Sequence, residues 1–277
     1  MKVYLKGIGA IGPGFENLDA LAGSLQSGSM PDFESFPRPQ GNMLPGAERR
    51  RASPTVKLAV EVASQALLSS GLNAQDLALV FASSNGDTDT IHQICETLAT
   101  SERFVSPTRF HNSVHNAAAG YWSIASGSMQ PSSSLCAWNG SFSAALLEAS
   151  GQCLAEGIPV LLAAFDTPFP FPLQEFTPAG KPFGVAMVLD RNPENSIATL
   201  SIELCGEDPD SLSGWEAMRS DSSAARAVPL LAALAKGGEV VLEYLEDLSL
   251  KVGVTPCAFA TAAAAGAAGT RSPGGCA

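Results

Sequence analysis

The sequence is poor in charge, in aromatic rings and in paired cysteines. Of 277 residues only 16% are charged and 7% aromatic, while 45% are hydrophobic. So little charge excludes a disordered, solvating chain, which needs high charge and low hydrophobicity. Scarce rings, with an apolar content leaning on Ala, Leu and Val, fit an α/β core better than a β-sandwich. None of the six cysteines (Cys95, Cys136, Cys153, Cys205, Cys257, Cys276) forms a C-x-x-C pair. Their wide, irregular gaps speak against a zinc site or a disulfide framework. No apolar run reaches the roughly 18 residues of a membrane span. The opening Met-Lys-Val-Tyr-Leu-Lys-Gly lacks the apolar stretch of a signal peptide. The expected compartment is therefore the cytoplasm, with thiols reduced. Positive charge is also short: 16 Lys and Arg against 27 Asp and Glu leave a net −11. That balance excludes nucleic acid, or an anionic membrane, as a partner held by bulk electrostatics. The length suits one large domain or two small ones and can bury a substantial core.

Strand and helix signals alternate through the first two thirds. Val3 to Ile11 reads as a strand turning at Gly12-Pro13-Gly14, and Asn17 to Leu25 as a helix by its leucine spacing. Ser27 to Glu48, rich in Pro, Gly and Ser, reads as an irregular loop. Ser53 before Pro54 has the form of an N-cap, and the helix that follows ends at Gly71. Leu77 to Ser83 suits a strand buried on both faces. Asp87 or Thr88 caps a helix running to about Leu98. After the polar stretch Ser106 to Asn116 come a small-residue helix (Ala117 to Ala125), a strand (Ser132 to Ala137), a helix (Ser141 to Ala155) and a second buried strand (Pro159 to Phe165). This alternation predicts right-handed crossovers and a mixed, mostly parallel sheet with helices on both faces. Beyond the Pro-rich loop Asp166 to Pro182, Phe183 to Leu189 and Ala198 to Leu204 read as a hairpin. Ser222 to Lys236 reads as one helix, and Glu239 to Tyr244 with Leu248 to Val254 as two strands across an acidic turn. Residues 1–257 form the expected domain. From Ala258 to Ala277 the Ala/Gly repetition is expected to be disordered.

Four patterns bear on chemistry. His111 and His115, four apart, would share a helical face and raise a two-histidine metal pair. No acidic third ligand lies nearby and no H-E-x-x-H exists, so pinning the start of the Ala117 helix is the better reading, with no metal and no cofactor expected. Cys136 lies at a strand end before a turn and a helix, where a helix N-terminus lowers a thiol pKa. Against a nucleophile, Cys is among the most buried residue types, and the turn Trp138-Asn139-Gly140 puts Asn139 or Gly140 at the apex. A buried Cys136 is therefore favoured. Gly7-Ile8-Gly9-Ala10-Ile11-Gly12 fits the dinucleotide fingerprint on paper. It then meets Pro13-Gly14 and lacks the acidic residue about 20 positions on, so it is a chance match. Arg49-Arg50-Arg51 can meet a phosphate such as a carrier protein's phosphopantetheine; a solvated cluster leading into the helix is the simpler reading.

Read in order, Arg49-Arg50-Arg51-Ala52-Ser53, Phe81-Ala82-Ser83, Gly86-Asp87, the long string Ser106-Pro107-Thr108-Arg109-Phe110-His111-Asn112-Ser113-Val114-His115-Asn116-Ala117-Ala118-Ala119-Gly120 and Ser141 to Ala149 resemble the β-ketoacyl synthase-like N-terminal domain family. Its members include chain-length-factor-like partners in aryl polyene and related type II polyketide or fatty-acid clusters. The resemblance spans Lys2 to Cys257 and implies a thiolase-like fold. In active ketosynthases of this kind a cysteine at the strand–turn–helix elbow takes an acyl chain from an acyl carrier protein, and two later histidines assist decarboxylation. The matching position here is Asn139, give or take one, and Cys136 falls before it. An amide forms no thioester. No histidine follows His115, and no His-Gly-Thr-Gly-like or Gly-Phe-Gly-Gly-like segment appears. The resemblance thus implies a pseudo-enzyme that heterodimerises with a complete ketosynthase across Ser132 to Ala137. Acyl carrier protein is an indirect partner, touching Arg49, Arg50 and Arg51. Phe110, His111, His115, Asn116, Trp122, Trp138 and Phe142 become candidates for the interface and for a wall of the partner's acyl tunnel. For each aromatic, core packing is the alternative. Two other readings stand beside it: an acyltransferase or condensing enzyme using Cys136, and a truncated or frame-shifted remnant.

Overall fold

The structure, a computed structural model, describes residues 1–27, 29–175 and 180–257. The tail expected to be disordered, 258–277, lies outside the described residues. Along the chain run β1 (Lys2–Ile11), α1 (Leu18–Ser27), α2 (Gly46–Arg51), α3 (Pro54–Ser70), β2 (Ala78–Ala82), α4 (Thr88–Ala99), α5 (Pro107–Asn112), α6 (Ala117–Ser126), β3 (Ser132–Leu135), α7 (Ser141–Glu156), β4 (Val160–Asp166), β5 (Phe183–Asp190), β6 (Ala198–Cys205), α8 (Glu216–Asp221), α9 (Val228–Lys236), β7 (Gly238–Leu245) and β8 (Leu248–Pro256). The strands form one sheet in the order β3-β2-β4-β5-β1-β6-β8-β7. Among the described residues no helix is long and apolar enough to cross a membrane.

The sheet is mixed but not mostly parallel. Among the described residues two pairings, β2 with β3 and β2 with β4, are parallel; the other five are antiparallel. Helices carry the connections among β2, β3 and β4, which is what parallel neighbours require. From β5 onward the strands pair antiparallel. The expected hairpin of Phe183–Leu189 with Ala198–Leu204 is also corrected. β1 lies between them, pairing Gly9 with Ala186 on one side and Val3 with Leu200 on the other. β1 is buried along almost its whole length. A strand so placed needs a neighbour on each edge to bond its N–H and C=O groups. The link from Asp190 to Ala198 steps over it, a span of two strand spacings or about 10 Å.

The apolar runs without alternation now make sense. Ala78, Val80 and Ala82 of β2 join a core beneath α7 and α9, while Leu79 and Phe81 join a second core beneath α3 and α6. Side chains alternate across the strand, so both faces are filled. α3 is defined at each end by its sequence. Ser53 Oγ accepts the Val56 N–H at 3.2 Å, Pro54 opens the helix, and Gly71 closes it at φ +67. Asp87 caps α4 by accepting the Thr90 N–H at 3.0 Å. The presumed single helix Ser222–Lys236 is a 3-10 turn (Ala224–Ala227) leading into α9, whose first turn holds Pro229. Proline has no N–H to continue a preceding helix. The loop Ser27–Glu48 gives way to α2 at Gly46, and Pro107 to Asn112 form the short helix α5.

The glycine string of β1 serves packing. A Cβ on Gly7 would stand 2.2 Å from the Ala66 carbonyl oxygen, and one on Gly9 2.4 Å from that of Val62, both on α3. The helix lies directly on the strand backbone there. Gly9→Ala is expected to cost about 1–3 kcal/mol through overpacking. Gly23→Ala, in α1 with nothing within 4 Å of the new methyl, should stabilise by up to about 1 kcal/mol. Urea unfolding of the two variants checks both signs.

Candidate functional site

β3 ends at Leu135 and the chain turns through Trp138–Gly140 into α7. Trp138 sits at φ +52, a left-handed conformation that costs a non-glycine residue about 1–3 kcal/mol. Two contacts hold the turn there. Ser141 Oγ donates to the Trp138 carbonyl at 2.6 Å and accepts the Ala137 N–H at 3.0 Å. Gly140 is pressed against β7: a Cβ would lie 2.0 Å from the Tyr244 carbonyl oxygen. The apex left in solvent is Trp138, 59% exposed, with Asn139 beside it.

Behind the apex lies Asp166, the last residue of β4, buried at 6% exposure. Its Oδ1 accepts Ser83 Oγ (3.0 Å), the Ser84 N–H (2.9 Å) and Ser84 Oγ (3.1 Å). Its Oδ2 accepts Ser223 Oγ (2.5 Å) and the Ala224 N–H (3.1 Å). Five donors on one carboxylate tie together the ends of β2 and β4 and the turn before α9. Arg226, on that turn, is ion-paired with Glu243 of β7, and Arg219 approaches the same carboxylate at 3.7 Å. Burial, with Arg219 adding to it, holds the Arg226 guanidinium below its usual pKa. Ser84, Trp138, Asn139, Asp166, Lys181 and Arg226 are among the residues around a cavity of about 220 Å³.

The structure redistributes the sequence candidates. Cys136 is exposed, not buried. It follows the edge strand, where one flank has no strand neighbour among the described residues, so its apolar setting in sequence is a sheet margin in space. Its Sγ donates to the Ser84 carbonyl at 3.1 Å, short of the start of α7. His111 and His115 share no helical face, because α5 stops at Asn112. His111 meets the Tyr121 ring edge-on at 5.8 Å, and His115 Nε2 bonds the Ser83 carbonyl at 2.9 Å. Among the described residues no group of three ligating side chains could hold a metal. Trp122 and Phe142 are wholly buried. They face the sheet from α6 and α7, one in each core, so neither lines a tunnel or a free surface of this chain. Phe110 is 69% exposed. Asn116 is exposed, as are Arg49, Arg50 and Arg51 on α2. Buried Asn112 links those arginines to the helices behind them: its Nδ2 donates to the Arg51 carbonyl at 2.8 Å and its Oδ1 accepts the Tyr121 hydroxyl at 2.9 Å. Sequence reasoning misses Asp166, Ser223, Arg226 and Glu243. The one signal was a carboxylate closing the apolar run Val160–Phe165.

The mixed eight-stranded sheet with a helical layer on each face is a ketosynthase-type, thiolase-like fold. The sequence matches the Beta-ketoacyl synthase, N-terminal domain family over residues 26–242, and the chain belongs to that family. No curated protein matches it. The fold is similar to a chain of the ketosynthase ApeO in complex with its chain length factor ApeC from Xenorhabdus doucetiae, at 24% identity and a TM-score of 0.71, covering 91% of this chain and 99% of that one. It is similar as well to a chain of the AntDE:AntF complex, a type II polyketide synthase carrier protein with its ketosynthase bound to the hexaketide, at 11% identity and a TM-score of 0.73, covering 92% and 99%. The ishigamide ketosynthase/chain length factor gives 13% identity and a TM-score of 0.70 over 92% and 99%.

Two outcomes test this geometry. Asp166→Ala orphans five donors and is expected to lose more than about 3 kcal/mol of stability, read by chemical denaturation. Cys136 should react with a thiol reagent in the folded protein. Cys153, its thiol pushed up to about 11 chiefly by burial, should react only after unfolding; peptide mapping of labelled chain distinguishes them.

Proposed function

We propose that this chain is a non-catalytic, chain-length-factor-like subunit that pairs with a complete β-ketoacyl-acyl-carrier-protein synthase in polyene, fatty-acid or polyketide biosynthesis in the cytoplasm. The observation that carries this reading is the elbow apex. Asn139, which the family resemblance matches to the acyl-carrying thiol of condensing enzymes, is an amide, and Trp138 beside it is an indole; neither can carry a thioester. Cys136 is bonded to the Ser84 carbonyl. None of the three histidines lines the elbow cavity. The chain length factors named in two similar complexes belong to those proteins; they support the same role here.

The partner's docking edge follows from hydrogen-bond parity. Leu79 N–H donates to the Pro131 carbonyl and Ser83 N–H to that of Leu135. Residues in step with these face β2, so Ser132 and Ser134 turn their backbone groups outward. An open edge of this kind is a template for another strand. Beside it Ala119, Gly120 and Ser123 of α6 form a shallow groove with His115, Asn116 and the two serines, small enough for close approach. The exposed rings of Phe110 and Trp138 would form part of the wall that limits the partner's acyl chain, with His111 next to Phe110 on the same helix and edge-on to Tyr121. Arg49, Arg50 and Arg51 are the contact for an acidic carrier protein that docks mainly on the partner.

Co-expression with the ketosynthase of the same gene cluster should yield a stoichiometric complex. Ser134→Pro, which spares the β2 ladder, should lower capture at least tenfold with an unchanged circular dichroism spectrum. A chain that neither binds the ketosynthase nor alters its product length overturns the reading. Incubation with an acyl-carrier thioester should leave the chain's mass unchanged. A stable adduct absent from Cys136→Ala would replace this reading with that of a condensing enzyme.

A further inference from the structure

The elbow also faces a second, open groove of about 630 Å³, walled on its other side by the hairpin that joins β7 to β8. Its apolar residues lie in water: Trp138 is 59% exposed, Leu245 51% and Leu248 39%. Exposed apolar side chains gathered inside a polar rim mark an interaction surface, and tryptophan is enriched among the residues that dominate binding. The turn that presents the indole is pinned by Ser141 and by Gly140 against Tyr244.

The rim of the groove is acidic. Asp208, Glu246 and Asp247 are exposed, and their carboxylates have no partner among the described residues. Nearby cations do not neutralise them, because Lys251 is paired with Glu207 and Arg226 with Glu243. The arm that carries Asp208 is fixed to β7. The Asp210 N–H donates to the Val241 carbonyl and the Asp210 carboxylate accepts the Val241 N–H, both at 2.8 Å. A rim held in place beforehand lowers the ordering cost of binding. Carboxylates alone would be a solvated edge. Set around an exposed indole they define what fits: a cation lying over the ring face while it pairs with an acid. An acidic carrier protein is repelled here.

We propose that this groove docks a basic segment of a protein partner, with an arginine or lysine over Trp138 and an apolar side chain against Leu245 and Leu248. The acidic rim belongs to the β6-β8-β7 end of the sheet, opposite β3, so this surface is distinct from the edge assigned to the ketosynthase. Fluorescence anisotropy of a short labelled peptide alternating arginine with leucine tests the proposal on the full chain. The peptide should bind saturably at micromolar concentration and more weakly as salt rises. Glutamine in place of its arginines, or serine in place of its leucines, should each weaken binding at least tenfold. Asp208→Asn, Glu246→Gln and Asp247→Asn combined should do the same, and so should Trp138→Ala. A matched neutralisation of exposed acids outside the groove, Asp19→Asn, Glu156→Gln and Glu175→Gln, should leave binding unchanged. Equal loss in the two triple variants overturns the proposal, because bulk charge then holds the peptide. Absence of binding also overturns it, as does wild-type affinity in the groove triple variant or in Trp138→Ala.

Discussion

The fold depends on a carboxylate that is buried and fully bonded. Asp166 closes β4, the strand that joins the parallel and antiparallel parts of the sheet. A carboxylate in that position is tolerated only when donors replace the water it has lost. The donors come from residues far apart in sequence: Ser83 and Ser84 from the end of β2, Ser223 and Ala224 from the turn before α9. One side chain thereby sets the relative height of three elements. His115 and Cys136 then bond the carbonyls of the same two serines, so the β2 loop relays that position to the edge strand.

The elbow is built from the opposite side. Gly140 admits the Tyr244 carbonyl, and Ser143 Oγ on α7 donates to that of Glu243 at 2.6 Å. β7 thus clamps the start of α7, and the Arg226–Glu243 pair fastens β7 to the turn that caps Asp166. Strain at Trp138 persists because these contacts fix the backbone before and after it. A site made this way is rigid at its base, while its apex residues are free to vary in chemistry.

Much of this was legible in the sequence. Ser53-Pro54 and Gly71 bound α3 because capping is a local matter, and β2 and β4 announce themselves as apolar runs because both their faces are covered. Parallel and antiparallel partners were not legible. Phe183–Leu189 and Ala198–Leu204 carry hairpin spacing, yet β1, nearly two hundred residues away, takes the place between them. Nor did composition separate Trp122, on α6 and packed beside Phe81, from Trp138 in solvent. Cys136 misled for a related reason. An apolar neighbourhood in sequence says nothing about which strand of a sheet lies at its edge. Arg226 and Glu243 meet only across the fold, so no local pattern could pair them.

The placement of β1 has a consequence for synthesis. Its edges wait for β5 and β6, with Lys2 opposite Ser201 and Tyr4 opposite Asp190. A ribosome adding roughly 5–20 residues per second needs about 10–40 s to supply those partners. During that interval the first strand is an apolar ribbon with two open edges, held only by whatever α3 can cover. Contacts so distant in sequence also slow folding once the chain is complete. The sheet's two halves can therefore close on β1 only late in synthesis.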